Sequence, residues 1–190
     1  MNVSVIIPAL NEEHTVAEVV RACLADDPLE VLVIDADSTD ATASRAAAAG
    51  ADVRNWRDIL SEEPRPGKGE SLWRGVAAAK GDIVVFVDAD LESAAPGMIA
   101  ALAAPFVDPA VDMVKARYQR SLNSQPTGGG RVTELTAKPL IKQFFPELAH
   151  IDQPLGGEYA LRRDTALELP FVEGYGVEAG LLVDLSLIHI

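Results

Sequence analysis

Cysteine is almost absent from this chain: Cys23 is the only one in 190 residues, so no internal disulfide can form. It lies on an apolar helical stripe and reads as core filler. Aromatic residues make up only 5%, histidine occurs three times, and 16 cationic residues face 29 acidic ones, a formal net charge of −13. That balance disfavours nucleic acid or an anionic membrane as a partner. No apolar run approaches the length of a membrane span, and no basic stretch precedes the apolar residues that follow Met1. Neither a spanning helix nor a signal peptide is therefore read, and a cytoplasmic protein is expected.

What is present is hydrophobic residue, 48% of the chain, in Val/Ile runs that alternate with alanine-rich helical patterns. The length suits one domain and the alternation argues α/β. Val3 to Ile7 reads as a strand ended by Pro8, and Asn11 as the cap of a helix with Glu12 and Glu13 in its first turn. Val16, Val19, Val20, Cys23 and Leu24 share one helical face. A strand over Val31–Ile34, an alanine-rich helix ending at Gly50 and a short strand over Ala51–Arg54 follow. Glu70–Lys80 reads as a helix with Leu72, Trp73, Val76 and Ala79 inward. Ile83–Val87 is a strand, Pro96 to Ala104 a helix, Val111–Tyr118 a strand and Ser121–Gly130 an open loop. Arg131–Phe145 reads as a helix that Pro139 bends or breaks.

In open α/β sheets, ligands gather outside the carboxyl ends of strands. Polar loops follow Ile7, Ile34 and Val87, and the last holds Asp88-Ala89-Asp90. Side chains two apart on an extended segment point the same way, so these carboxylates can converge on one hard cation such as Mg²⁺ or Mn²⁺. An isolated Asp-x-Asp is equally a turn, and Asp35-Ala36-Asp37 is a second copy. Lys68 stands between glycines that allow close approach to a phosphate, or that merely make a turn. Residues 115 to 142 hold Lys115, Arg117, Arg120, Arg131, Lys138 and Lys142 against Glu134 alone. Such an island in an acidic chain is either a solvated face or a site for a small anion.

Four segments stand in order: Pro8-Ala9-Leu10-Asn11-Glu12-Glu13, Asp35 through Asp40, Gly67-Lys68-Gly69 and Asp88-Ala89-Asp90. This series resembles the GT-A glycosyltransferases, nucleotide-sugar enzymes with a Rossmann-like, mostly parallel sheet flanked by helices. Gly128-Gly129-Gly130-Arg131-Val132-Thr133-Glu134-Leu135, Gln153-Pro154-Leu155-Gly156-Gly157-Glu158-Tyr159 and Gly174-Tyr175-Gly176-Val177-Glu178 narrow the resemblance. They look like the glucosyl-3-phosphoglycerate synthase family and its mannosyl relatives, from Val3 to about Asp184.

The resemblance implies retaining transfer of glucose from UDP-glucose to 3-phosphoglycerate, with Mg²⁺ or Mn²⁺. It assigns Pro8, Leu10 and Glu12 to the nucleotide, Asp35 and nearby Ser38 to the uracil, Lys68 to the donor, Gly156 and Gly157 to the donor sugar, and Asp88 to the ribose or sugar. Asp90 would bind the metal. Gly130, Arg131 and Thr133 would hold the phosphoglycerate, with Tyr175 and Glu178 near the reacting groups. Plain readings remain beside these: Glu12 as a first-turn acid, Ser38 or Asp40 as a helix cap, and Glu178 as a solvated helix residue. The donor-binding part is placed at residues 1–110 and the acceptor-binding part at 111–184. Residues 185–190 do not resemble the family's continuation, which carries a metal-binding histidine and a dimerising segment. They read as a non-native tail on a truncated enzyme whose relatives are homodimers. Competing readings are a mannosyl enzyme using a GDP-sugar, a sugar nucleotidyltransferase, and a donor-binding fragment without turnover. The nucleotidyltransferase lacks its early glycine-rich basic loop here.

Overall fold

A computed structural model describes residues 1–117, 121–122, 125–126 and 130–188, with the backbone alone described at 121–122, 125–126, 175 and 188. Strands β1 (Val3–Ala9), β2 (Glu30–Asp35), β3 (Asp52–Asn55) and β4 (Ile83–Phe86) are parallel, with β1 between β2 and β4. Strand β5 is Met113–Lys115, and β6 (Ser121–Leu122) and β7 (Gln125–Pro126) form a separate two-stranded pair. Strand β8 (Tyr159–Arg162) inserts antiparallel between β4 and β5, giving a mixed sheet of order β3-β2-β1-β4-β8-β5.

Helices cover both faces. One apolar layer packs Val5, Ile7, Val33 and Val85 with Val16, Val19, Val20 and Cys23 of α1 (Val16–Leu24), Ala46 of α2 (Thr42–Ala48) and Ile99 of α4 (Met98–Ala103). The other packs Ile6, Leu32, Ile34 and Phe86 with Leu72 and Val76 of α3 (Lys68–Ala78), Ala166 of α6 (Arg163–Glu168) and Leu181 of α7 (Val177–Ile188). Helix α5 (Lys138–Phe144) lies outside both layers. Strands buried on both faces read as continuous apolar runs, which is why β1, β2 and β4 are visible in the sequence.

Several boundaries differ from the sequence reading. Pro8 does not end β1. The Ile6 carbonyl accepts from Val87 N, so Pro8, two residues on, faces the side where β4 has already stopped, and its missing N–H leaves no gap in the ladder. Asn11 is not the cap of α1. It sits at φ 58° and its side-chain carbonyl accepts from Thr39 N, and the helix starts at Val16. Of the strand read over Val111–Tyr118, Met113–Lys115 is strand, residues 111, 112, 116 and 117 are not, and Tyr118 lies outside the described residues. The stretch read as a helix over Arg131–Phe145 is helical to Phe144, with a π-turn at Thr133–Ala137 that ends two residues before Pro139. A widened turn there accommodates a residue that cannot donate to the preceding turn. Residues 185–188 continue α7, and Leu185 packs on the core. No helix among the described residues is long and apolar enough to cross a membrane.

Candidate active site

The parallel register aligns Ala9 with Asp35 and Ile6 with Phe86, so the polar loops after β1, β2 and β4 leave the same end of the sheet. There they line a cavity of about 350 Å³ with Pro8, Leu10, Glu12, Trp56, Lys68, Ser71, Asp88, Asp90, Leu155 and Glu178. At its floor, Lys68 Nζ stands 2.5 Å from Asp88 Oδ1 and donates to Glu178 Oε1 at 2.6 Å. Glu178 is nearly inaccessible, only 4% exposed at the side chain. Burial works against the ammonium of Lys68, but the charges of Asp88 and Glu178 outweigh it and raise its pKa. The sequence reading of Glu178 as a solvated helix residue is thereby replaced by a buried ion-pair partner.

Close backbone approach explains the two glycines around Lys68. A Cβ on Gly67, which has φ 131°, would overlap the backbone of Gly174, and one on Gly69 would overlap the Val172 carbonyl. The start of α3 is thus locked against the segment that leads into α7, which joins Lys68 to Glu178. The helix begins at Lys68, two residues before the sequence places it. Further along α3, Arg74 is fully buried. It donates to Glu70 at 2.7 Å and to the carbonyls of Trp56 at 3.0 Å and Glu62 at 2.6 Å. Those bonds hold the loop that brings Trp56 to the cavity wall. Trp73, expected inward, is only half-buried.

Around the mouth the field is negative. Burial raises the pKa of Glu12, with the charges of Asp90 and Asp40 adding to it. Asp90 is exposed. Hard carboxylate oxygens in a negative field suit a divalent cation. Among the described residues, however, no group of three Asp, Glu, His or Cys side chains closes on one point. Asp90 is the carboxylate of the mouth that would hold such a cation.

The second Asp-x-Asp has a different role. Asp37 accepts from Asn55 at 3.0 Å and pairs with Arg57 at 2.8 Å, which lowers its pKa, the Asn55 bond foremost. Asp35 is buried; its Oδ2 accepts from Ser38 N at 3.3 Å while its Oδ1 has no hydrogen-bond partner. Ser38 Oγ accepts from Asn11 N at 3.0 Å, so Ser38 braces the first loop. Asp40 stands one residue before the helix cap, Ala41, and its Oδ1 accepts from the first helical N–H, that of Thr42, at 2.9 Å.

Among the described residues the basic island does not form one patch. Lys115 turns inward and donates to the carbonyls of Gly156 and Pro154, Arg117 pairs with Asp152, and Lys138 pairs with Glu134. Arg120 lies outside the described residues, as do Gly128 and Gly129 of the glycine run. Arg131 is exposed, Thr133 is buried in the following helix, and neither they nor Gly130 line the cavity. Tyr175 lies in the turn Gly174–Gly176, its side chain outside what is described. Gly156 and Gly157 belong to the turn whose Leu155 reaches the cavity, and a Cβ on Gly157 would overlap the Asp88 carboxylate. Sequence reasoning missed Trp56, Ser71 and Arg74, and placed Lys115 only in the basic island. An aromatic directly after a strand could have signalled Trp56, and the i, i+4 spacing of Glu70 and Arg74 their pairing; for Ser71 and the inward turn of Lys115 no local pattern exists.

A mixed α/β sheet with acidic loops and one lysine gathered at its strand ends is the GT-A architecture, and the chain belongs to glycosyl transferase family 2, whose model matches residues 4–166. Within that family it is 50% identical, over 96% of its length, to the glucosyl-3-phosphoglycerate synthase of Mycolicibacterium paratuberculosis, 59% of which it covers. It is 44% identical, over 98% of its length, to that of Petrotoga mobilis, covering 61% of it. The fold superposes at TM-score 0.87 on glucosyl-3-phosphoglycerate synthase from Mycobacterium tuberculosis in complex with Mn²⁺, UDP-glucose and phosphoglyceric acid. That pair is 45% identical, with 96% of this chain and 64% of the other covered. The chain thus spans about 60% of the length of the curated relatives it matches.

Proposed function

We propose that the chain carries the donor site of a retaining hexosyltransferase that moves glucose from UDP-glucose to 3-phosphoglycerate, giving glucosyl-3-phosphoglycerate. The observation behind this is the strand-end cavity with Lys68 held between Asp88 and Glu178 and with Asp90 at its mouth. In the reaction the bond from glucose C1 to the β-phosphate oxygen breaks and one to the acceptor hydroxyl oxygen forms on the same face. The hydroxyl proton leaves with the phosphate or with a carboxylate.

Asp35 does not line the cavity, and its buried Oδ1 lacks a hydrogen-bond partner; it is assigned to the imide N–H of uracil on the strength of the family resemblance. Pro8 and Leu10 pack on the nucleoside and Glu12 accepts from ribose hydroxyls. Lys68 supplies the cation that meets the diphosphate, and Asp88, against Gly157, faces the sugar. Asp90 holds Mn²⁺ or Mg²⁺, which when bound offsets charge gathering on the departing UDP. Gly130, Arg131 and Thr133 are assigned to the acceptor's anionic groups, and Tyr175 and Glu178 to the acceptor end of the sugar, on the strength of the family resemblance. A cytoplasmic homodimer belongs to the same proposal. Support for UDP-glucose over a GDP-sugar comes from the relatives, whose names and bound ligands are those of the glucosyl reaction.

UDP release from UDP-glucose with Mn²⁺, measured with and without D-3-phosphoglycerate and beside GDP-mannose, tests the proposal. Acceptor-dependent release from UDP-glucose alone supports it. Release from GDP-mannose in preference overturns the donor assignment, and no release from folded chain assigns it a binding role without turnover.

A further inference from the structure

We infer that Lys115 is a positioning residue for the sugar end of the donor site: it clamps the Pro154–Gly156 turn, and through Gly157 that turn fixes where the Asp88 carboxylate stands. The inference rests on the donor-site reading above, but no role for Lys115 follows from that reading. Lys115 ends β5 and pairs in register with Tyr159 of β8. Its Nζ donates to Gly156 O at 2.7 Å and to Pro154 O at 3.3 Å, and lies 4.7 Å from the Tyr159 ring centroid. Leu155, between the two clamped carbonyls, lines the cavity. Gly157 follows directly, and the place a Cβ would take there is filled by the Asp88 carboxylate. The turn therefore cannot drift inward without displacing Asp88, and Lys115 keeps it from drifting outward.

The alternative to a lysine at this point is two carbonyls facing a void beside an aromatic ring. An ammonium satisfies both and stacks on the ring face in one group. Charge agrees with geometry. Burial pushes the Lys115 pKa down to about 8, opposed by Glu178, Glu158 and Asp88 and assisted by Lys68. The residue thus sits within electrostatic reach of both carboxylates on the cavity floor.

The test is the affinity of the native chain, Lys115→Met and Lys115→Arg for UDP and for UDP-glucose, each with Mn²⁺, by calorimetry. Loss of the clamp should weaken UDP-glucose about fivefold or more in Lys115→Met while UDP changes by less than about twofold. Lys115→Arg, which keeps a cation over the turn, should restore most of the sugar preference; if Lys115→Met does not fold, Lys115→Gln, which removes the cation and keeps a donor, stands as the test variant, with UDP-glucose again weakened more than UDP. Equal effects on both ligands, or none on either, would overturn the inference, since a merely structural lysine would not separate them. A native chain that binds neither ligand would instead sink the donor-site reading, and this inference with it.

Discussion

Lys68 carries two carboxylates at once, and this explains why one lysine in an acidic chain can organise a site. Glu178 is buried and Asp88 half-buried, so removing the cation leaves charge in low dielectric without compensation. Lys68→Ala should lose about 3 kcal/mol in urea unfolding, and Lys68→Ala with Glu178→Gln should recover most of it. A double variant as unstable as the single one would show that the pair is not coupled. At this scale the sequence was most informative for residues that carry chemistry themselves. Asp88, Asp90, Glu12 and Lys68 follow strands or sit between glycines, where polar side chains have few structural reasons to be. The inward turn of Lys115 and the loop contacts of Arg74 were illegible because those partners are backbone carbonyls distant in sequence: Pro154 and Gly156 for one, Trp56 and Glu62 for the other, Glu70 alone being local to Arg74. A carbonyl has no residue type to read.

Helix α3 is the element on which the site turns. Its first residue is Lys68, its Ser71 lines the cavity and its Arg74 ties down the loop bearing Trp56. Gly69→Ala would drive a methyl into the Val172 carbonyl. Overpacking of this kind should cost about 2 kcal/mol and separate α3 from the Val172–Gly174 segment. The check is a paired measurement of Tm and UDP affinity. Both should fall, whereas full stability with full binding would show that the segment yields freely. Strands β1, β2 and β4 were legible because burial on both faces makes them continuous apolar runs. Strand β8 was not, since Tyr159–Arg162 mixes an aromatic, two apolar residues and a cation behind a glycine pair. The late start of α1 was equally hidden, because Asn11 and Glu13 serve hydrogen bonds to residues Thr39 and Ala41 across the chain.

For the molecule as a whole, parallel order could be argued from alternating elements, but the antiparallel insertion of β8 between β4 and β5 is a long-range pairing that no local pattern encodes. It is this insertion that brings Lys115 and Tyr159 behind the donor site. A consequence reaches global stability. Lys115 titrates near 8 when folded against an ordinary 10.5, chiefly through burial. Between those values the unfolded chain binds more protons, so stability rises with pH. Cys23 acts oppositely above its ordinary 9.0, because burial, followed by Asp26, pushes its thiol to about 12. Compared with Lys115→Met, the native chain should gain about 1 kcal/mol between pH 8 and 9 in urea titrations. Parallel pH curves for the two proteins would contradict this.

The most direct measurement of the central claim is calorimetric titration of UDP into this chain with and without Mn²⁺, repeated on Asp90→Asn. The account predicts one saturable site whose affinity rises at least about tenfold with Mn²⁺, a gain that Asp90→Asn abolishes. No saturable binding to demonstrably folded chain, or a Mn²⁺ gain that survives Asp90→Asn, would contradict it.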